Sequence, residues 1–429
     1  MGTSMVAPGN SKTRPSMTPQ QMNQIAAQGI RNYAVRRVQS LNPVTFVPAN
    51  NPTLTVTPVP VGLVLGFYVK VVHTVQNGDS VAINASNFNS ANSLSQIQFQ
   101  DLSNQTRIQT PGCHINFINS WKGKRPYGAA LIGSSLTNTG AQTGPVAYVG
   151  QDDPVNYGSN WIVNSCPATI GAGDPGTVTQ WYYVPLAYNP DNPKAPDFRG
   201  AIYAGTTAAN LQLLLSMPGA SGLGTICAAF DADSTFSMFV ENSAGTGPGG
   251  VSITSTTVTV YQDYYDQIPS AAQFTGQPGL LLPQSDISTI YNLLNSSLSG
   301  IPTGAETGYQ YANFRSFLST LAIYVQSAAT GARGTGGDIN YFALQAANNS
   351  NIWKAEPAFF ALLTRQHMQL DLPAGTYMFD SRQSPINTQQ FGVMQLIINP
   401  ITGSSDNYLR VMVESFQLIN AQGQSLPSS

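Results

Sequence analysis

Histidine is the residue of this chain best suited to acid–base or metal chemistry, because imidazole titrates near neutral pH and binds transition metals. The three histidines, His73, His114 and His367, lie far apart, and none belongs to a paired histidine motif. Cys113 directly precedes His114, but neighbouring residues of a predicted strand point to opposite faces, so the pair does not predict a nucleophile with its base. The sequence therefore predicts no catalytic residue, no cofactor and no metal site, and hence no enzyme.

Two acidic segments come closest to a cation site. The segment from Asp231 to Asn242 begins like a calcium-binding loop, but Phe236 takes the place of the required glycine and Asn242 that of the bidentate glutamate. This excludes an EF-hand. Asp152–Asp153 precedes a proline and indicates a turn, although calcium binding at such a loop stays open.

Aromatic side chains offer a second kind of chemistry, since exposed rings can serve as platforms for sugars. The chain has 4 Trp and 19 Tyr, and Trp161 or Trp181 could act in this way in a lectin-like module or a receptor-binding spike. Most of the aromatic residues fall within strand-like runs, where packing in the core is their ordinary role. A carbohydrate-binding jelly roll is therefore the alternative function.

Charge is scarce in this chain. Only 9% of its 429 residues are charged, against about 25% in an ordinary soluble domain. The interfaces of permanently associated chains are depleted in charge at their centres. The composition therefore predicts a protein that covers much of its surface with copies of itself, and the length favours two domains.

The charges that do occur are distributed unevenly. The net charge is −2, but no acidic residue precedes Asp79, so residues 1–78 carry six cations and no anion. A solvated tail and a segment that contacts an anionic surface are both compatible with this pattern. The candidate contact residues of this amino-terminal arm are Lys12, Arg14, Arg31, Arg36 and Arg37.

The three cysteines, at unrelated spacings, argue against a disulfide framework and a zinc site, and indicate a reducing compartment. The longest apolar run, around residues 61–69, is too short to span a bilayer, and the first 40 residues lack the apolar core of a signal peptide. We expect a chain that neither crosses a membrane nor is exported.

The elements that would position these residues are mostly strands, preceded by one helix. Thr18, Pro19 and Gln21 form the start signal of a helix with a capping box, and an apolar stripe continues it to about Arg36. Short β-branched and aromatic runs then follow, in a number that suits a jelly roll. They lie near 53–58, 62–75, 95–100, 113–118, 178–187, 211–215, 235–241 and 251–262. The intervals 134–177 and 188–199 are predicted surface loops.

A Gly/Pro/Gln-rich connector marks a domain boundary near residues 268–285. After it we predict a short amphipathic stretch at 287–294, strands at 309–326, 338–345, 376–380, 391–398 and 408–419, and a helix at 356–367. The predicted organisation is an arm and helix (1–40), a first jelly roll with extended loops (41–267), the linker (268–285), a second jelly roll (286–421) and a flexible tail (422–429).

Several segments, in order along most of the chain, resemble the major capsid proteins of tectiviruses, tailless bacteriophages with a membrane beneath the protein shell. The blocks that carry the resemblance are VGLVLGFYVKV (61–71), GCHINFIN (112–119), PATIGAG (167–173), YYVPLAY (182–188), VYQDYYDQIP (260–269), DISTIYNLLNS (286–296), QYANFRSFLSTLAIY (310–324), GGDINYFALQAAN (336–348) and LIINP (396–400). No single block is diagnostic, but their ordered sum is specific.

The resemblance implies an all-β fold, the double jelly roll, with two upright eight-stranded β-barrels, an N-terminal helix and minor helical inserts. It implies a major capsid protein whose homotrimeric, pseudo-hexagonal capsomers form an icosahedral shell. The implied partners are neighbouring capsomers, minor capsid (vertex or cementing) proteins and the lipids of the internal membrane, which the basic arm would face. Specific nucleic-acid binding is not expected. The implied location is the virion, assembled in the cytoplasm of a bacterial host.

Overall fold

A computed structural model describes residues 17–49, 52–86, 89–101, 104–121, 145–148, 164–192, 195–205, 211–219, 225–230, 236–245, 248–299, 306–310, 317–326, 339–347, 349–368, 376–382, 384–391, 394–401 and 408–418. Its helices are α1 (Pro19–Tyr33), α2 (Gly112–Trp121), α3 (Ala272–Thr275), α4 (Gln284–Ile287) and α5 (Pro357–Met368). Short 3₁₀ turns cover Asn89–Ser93, Pro248–Gly250 and Thr388–Phe391.

Strands make up most of the described fold. They are β1 (Val35–Ser40), β2 (Val44–Phe46), β3 (Thr53–Val56), β4 (Leu63–Asn77), β5 (Ile83–Ala85), β6 (Gln96–Gln100), β7 (Thr106–Thr110), β8 (Pro145–Tyr148), β9 (Asn164–Pro167), β10 (Thr169–Ile170), β11 (Pro175–Pro185), β12 (Ile202–Tyr203), β13 (Gln212–Ser216), β14 (Thr225–Ala228), β15 (Ser237–Glu241), β16 (Val251–Asp266), β17 (Thr289–Ser299), β18 (Thr307–Gln310), β19 (Phe317–Gln326), β20 (Ile339–Gln345), β21 (Asn351–Ala355), β22 (Thr376–Asp380), β23 (Ile386–Asn387), β24 (Gln395–Pro400) and β25 (Tyr408–Leu418).

The first helix begins as its sequence predicts. The Thr18 hydroxyl accepts a hydrogen bond from the Gln21 amide (3.2 Å), and the Gln21 side chain accepts one from the Thr18 amide (2.9 Å), which completes the capping box. The helix ends at Tyr33, so its predicted end near Arg36 was wrong. The chain leaves the helix there because β1 pairs antiparallel with β16 along the edge of a sheet.

The predicted strand near 113–118 was also wrong, because this segment lies in α2. Residues 113–119 are all buried. A helix that is buried on all sides shows no amphipathic period, so a short apolar run of this kind cannot be told from a strand by pattern. Cys113 and His114 therefore lie on adjacent positions of a buried helix.

Two further segments in the sequence differ from expectation. The predicted surface loop at 134–177 contains β8, β9, β10 and the start of β11, while residues 134–144 and 149–163 lie outside the described residues. The stretch at 287–294 completes α4 and then forms β17. Residues 289–293 of β17 are all buried, so this strand shows no period of two.

One sheet of the first half is rich in aromatic residues. Its strand order is β1–β16–β4–β11–β9–β8, with β2 also paired to β16 and β12 to β4. β4 alternates between buried residues such as Phe67, Val69 and Val71 and partly exposed ones such as Tyr68 and Lys70. This alternation gives the sheet one face toward the core and one face away from it. We call this the first sheet.

A second sheet passes from one half of the chain into the other. Its order is β22–β19–β25–β17–β7–β6–β13–β3, with β23 on β19. The connection between the halves is the parallel pair of β17 and β7, which aligns Leu293 with Ile108. The two halves are therefore joined by main-chain hydrogen bonds as well as by side chains. We call this the shared sheet.

The second-half strands of the shared sheet are buried on both faces. Ala322, Tyr324, Met412 and Phe416 pack into a core with residues of the first sheet. The alternate residues Leu321, Ile323, Val325 and Val411 pack into another core with the sheet β18–β24–β20–β21. The molecule is consequently layered, with the shared sheet between the first sheet and this sheet of the second half. A smaller sheet, β10–β5–β15–β14, completes the first half.

Candidate functional site

Among the described cations of the amino-terminal arm, Arg36 is the most strongly held. Its Nε and Nη2 atoms donate to the two carboxylate oxygens of Asp263 at 2.9 and 2.7 Å, and Nη1 donates to Asp191. The Asp263 side chain is fully buried, while that of Arg36 is 32% exposed. Hydrogen bonding to Asp263 is the main cause that raises the pKa of Arg36 above its ordinary value.

The other arm cations differ in their surroundings. Arg37 pairs with Asp266 across the β1–β16 edge, with 3.1 Å between Nε and Oδ2. Arg31 donates from Nη1 to the main-chain oxygen of Asn192 at 2.9 Å. Lys12 and Arg14 lie outside the described residues. The structure thus gives Arg36 and Arg37 carboxylate partners, which reduces the charge that they present to an outside anion.

The carboxylates that hold the arm were not identified from the sequence. Asp263 follows Arg36 by 227 positions in the chain, so its proximity depends on the pairing of β1 with β16. The available signal was the acidic pair Asp263 and Asp266 in the segment QDYYD, beside a strand of strong β character. The pattern of that segment predicts a strand and does not indicate a partner for either carboxylate.

α1 is fixed to the connector between the halves. The Asn23 amide donates to Asp286 at 2.7 Å, and its oxygen accepts a hydrogen bond from the Ser285 amide at 3.1 Å. Asp286 also accepts from the Phe198 amide at 3.0 Å. Burial raises the pKa of Asp286. The helix therefore has a defined attachment to the connector and to the loop before β12.

An apolar groove of about 590 Å³ follows the outer side of α1. Its lining contains uncharged residues alone: Met17, Gln21, Gln24, Ile25, Gln28, Gly29, Asn32, Tyr33 and Phe274. Tyr33 is 64% exposed at its edge. Among the described residues, no helix has both the length and the apolar character that a membrane span requires.

The histidines are structural where they are described. His73 Nε2 donates to the Ser93 oxygen at 2.8 Å, which leaves Nδ1 to accept from the Thr256 hydroxyl at 2.7 Å. Burial lowers the pKa of His73 to about 4, so the ring is neutral at pH 7. His114 Nδ1 lies 2.8 Å from the Thr110 hydroxyl. The two rings therefore have different hydrogen-bond partners.

The cysteines Cys113, Cys166 and Cys227 are buried as free thiols. Burial raises the pKa of Cys227 to about 12 and that of Cys166 further, so both stay protonated. Within the described ranges, no group of three or more His, Cys, Asp or Glu side chains could hold a metal. The acidic segments at 152–153 and 231–235 lie outside these ranges.

The aromatic residues that could bind sugar are in part packed against one another. Trp181 stacks on Tyr261, with ring centroids 5.8 Å apart, and the Lys70 ammonium lies 5.6 Å from the Trp181 centroid. Tyr68 contacts Tyr183 at 4.8 Å. Trp161 lies outside the described residues. Tyr68, Trp181 and Tyr261 are partly exposed on the outer face of the first sheet, whereas Tyr183 is buried.

A polar network lies where the two halves meet. The buried Glu414 accepts hydrogen bonds from the Tyr291 hydroxyl at 2.6 Å and the Thr320 hydroxyl at 3.0 Å. The Arg199 guanidinium lies 4.1 Å from the Phe416 ring centroid and 5.0 Å from that of Tyr188. Side chains of the loop before β12 therefore contact the second-half strand β25.

Comparison with known proteins agrees with this architecture. The family model described as "P3 major capsid protein N-terminal" matches residues 7–268, and that described as "P3 major capsid protein C-terminal" matches residues 288–426. Major capsid protein P3 of Enterobacteria phage PRD1 is 34% identical over 406 residues, which cover 94% of this chain and 92% of the relative.

Solved structures extend the likeness at the level of the fold. The crystal structure of the STIV (Sulfolobus turreted icosahedral virus) MCP has a TM-score of 0.58 at 12% identity and covers 90% of this chain and 97% of its own. VP54 of PBCV-1, fitted into a reconstruction of the virophage Sputnik, has a TM-score of 0.53 at 12% identity, with 92% and 98% covered. At such identities the likeness is one of fold alone.

Proposed function

Since the chain belongs to the P3 major capsid protein family, we propose that three copies form a capsomer of pseudo-hexagonal outline. The protein is a major capsid protein with the double jelly-roll fold, and it is a component of the virion capsid. The alternative of a carbohydrate-binding spike is not favoured. The trimer, its partners and its contact with lipid are the proposed part of this function.

The observation that carries the proposal is the shared sheet, buried on both faces. One chain thereby holds two strand assemblies in a fixed relation. A trimer therefore contains six such assemblies, which is the number that a capsomer of pseudo-hexagonal outline needs. The 9% charge supports the same proposal, because extensive contacts between copies need surfaces with little charge. We assign the two jelly rolls to residues 41–267 and 286–421, with the linker at 268–285.

The trimer is tested by the mass of the purified protein. We expect native mass spectrometry to give a species of three times 45.6 kDa, which persists on dilution because obligate interfaces bury about 2,000 Å² or more. Negative-stain images should show hexagon-like particles with threefold symmetry. A stable monomer at micromolar concentration would contradict the proposed assembly.

The remaining partners follow from the same role. We propose that capsomers contact one another and minor capsid proteins of the vertex or cementing type, and that assembly takes place in the cytoplasm of a bacterial host. Specific recognition of nucleic acid has no part in this proposal, and neither does catalysis. The chain is a structural component of the capsid.

We propose that the arm contacts the lipids beneath the shell through Lys12, Arg14, Arg31, Arg36 and Arg37. The ion pairs of Arg36 and Arg37 reduce their share of the attraction, so Lys12, Arg14 and Arg31 should supply most of it. Each cation near an anionic membrane contributes about 1 kcal/mol. Three arms on one capsomer act together and strengthen this weak attraction.

Deletion of residues 1–17 is expected to reduce the binding of trimers to anionic liposomes by at least about 30-fold, because it removes two cations per chain. Flotation with vesicles that contain an anionic phospholipid measures the effect. The control is the doubly substituted Lys12→Gln, Arg14→Gln chain, which keeps the length of the arm and should lose binding similarly. Unchanged flotation of the deleted protein would rule out the membrane role of the arm.

A further inference from the structure

Beyond the Arg36–Asp263 ion pair, the outer face of the first sheet carries little charge. Here β4 and β11 pair Val72 with Thr179, and β4 and β16 pair Val72 with Thr257. The outward side chains of this region are partly exposed. We define the Trp181 face by these side chains: Tyr68, Lys70, Val72, Thr179, Trp181, Thr257, Thr259 and Tyr261.

The composition of the Trp181 face is that of an interface centre. Lys70 is its one charged member, and its ammonium lies against the Trp181 ring rather than beside a carboxylate of the face. Trp and Tyr are enriched among the residues that dominate binding energy between proteins, and Lys, Glu and Asp are depleted. The stacked pair of Trp181 and Tyr261 supplies rigid aromatic area.

The size of the face also suits a protein partner. Five strands of the first sheet, β9, β11, β4, β16 and the β1–β2 edge, lie side by side. With a strand spacing of about 4.8 Å and about eight residues of about 3.3 Å each, they present roughly 600 Å² in projection. A stable interface of standard size buries about 800 Å² on each partner. A sugar would cover a small fraction of this area.

We propose that a second copy of this chain packs on the Trp181 face, which is thus one side of the interface between subunits. This inference rests on the proposed trimer and assigns its contact surface. In a closed ring of three, each interface joins two different surfaces of the chain. The Trp181 face therefore receives some other surface of the neighbouring copy, and each chain both offers and occupies such a face.

The direct test places a charge at the centre of the face. Val72→Arg is expected to weaken trimer formation at least about 100-fold, since an arginine buried there would lack a partner. As a monomer the variant should fold normally, because an outward side chain on this strand can extend into solvent. Size-exclusion chromatography with light scattering measures the association, and thermal unfolding measures the fold.

Two further substitutions make the test specific. Val72→Thr keeps the branched shape without a charge, so this variant should remain trimeric. Thr259→Arg changes the neighbouring strand β16 and should give the same loss as Val72→Arg. Folded monomers from both arginine variants would support the proposal. If Val72→Arg does not fold, Thr259→Arg alone decides between the outcomes.

The result separates this inference from the proposed function. A trimeric wild-type protein whose folded arginine variants also remain trimeric would overturn the assignment of the face but leave the capsomer intact. A monomeric wild-type protein would instead contradict the capsomer itself. Loss of trimers in Val72→Thr as well would show that burial of the Val72 methyl group is limiting, and it would overturn the argument from charge.

Discussion

Replacement of Asp101 by alanine is expected to lower the free energy of unfolding by about 3–5 kcal/mol, because it leaves a buried arginine without its counter-ion. Arg107 donates from Nε to Asp101 at 2.8 Å, and only 8% and 5% of the two side chains are exposed. Burial lowers the pKa of Arg107, and the carboxylate of Asp101 opposes this effect. Urea unfolding at pH 7, followed by tryptophan fluorescence, measures the loss.

The control for this prediction is an ion pair of the same kind on the surface. Asp266→Ala removes the partner of Arg37, where the two side chains are 48% and 40% exposed. Exposed pairs contribute about 0–1 kcal/mol, so this variant should be nearly as stable as the wild type. The double substitution Asp101→Leu, Arg107→Leu should recover much of the stability lost in Asp101→Ala. Equal stability of Asp101→Ala and Asp266→Ala would contradict the prediction.

The position of this pair explains why its loss should matter for assembly. Arg107 lies on β7, the strand that pairs with β17 and so connects the two halves. Its Nη1 atom also donates to the Gly200 oxygen at 3.0 Å, in the loop before β12. One guanidinium thus links the shared sheet to a loop of the first half. A change at Asp101 should disturb the relation between the halves as well as the local fold.

Sequence signals that lie within or next to an element correctly predicted the bounds of several elements. The capping box at Thr18 and Gln21 fixed the start of α1, and the proline start signal placed α5 within one residue of its observed bounds, Pro357–Met368. Strand β22 was predicted at its observed limits, Thr376–Asp380. The helix predictions succeeded because hydrogen bonds and dihedral angles within a few residues decide them. The limits of β22 follow instead from its run of β-forming residues, since its main-chain partner is the distant strand β19.

Elements fixed by distant contacts could not be predicted in this way. α2 is buried on every side, so it lacks the period that distinguishes a helix. The end of α1 depends on the pairing of Val35–Ser40 with β16, which lies more than 200 residues later. The partners of Arg36 depend on the same pairing. The resemblance supplied the fold because it carries information on such long-range contacts that one sequence does not.

The arm cations show the same limit of prediction from a single sequence, which does not reveal long-range contacts. Their charge was evident from the sequence, but the carboxylates that neutralise two of them became evident only when β1 was placed beside β16. The total positive charge of the arm therefore overestimates its attraction for lipid. Net charge is therefore a weaker guide to membrane contact than the number of cations without a carboxylate neighbour.

Gly200→Ala should destabilise the protein by about 2–6 kcal/mol, from about 1–3 kcal/mol of backbone strain and about 1–3 kcal/mol of overpacking. Gly200 has a φ of +90°, and an added Cβ would lie 2.3 Å from the Leu186 oxygen and 2.5 Å from the Tyr291 Cβ. Tyr291 belongs to β17, so the crowded space lies between the loop of the first half and a strand of the second. Urea unfolding and the trimer content measure the effect.

A second glycine separates the two causes of this loss. Gly276 has a φ of +72°, but an added Cβ would meet no atom within 4 Å. Gly276→Ala should therefore cost about 1 kcal/mol, which is the strain alone. If Gly200→Ala proved no more destabilising than Gly276→Ala, the loop and β17 would have room to separate. The contact between Gly200 and Tyr291 of β17 would then deform too easily to hold the two barrels in the fixed relation that a capsomer requires.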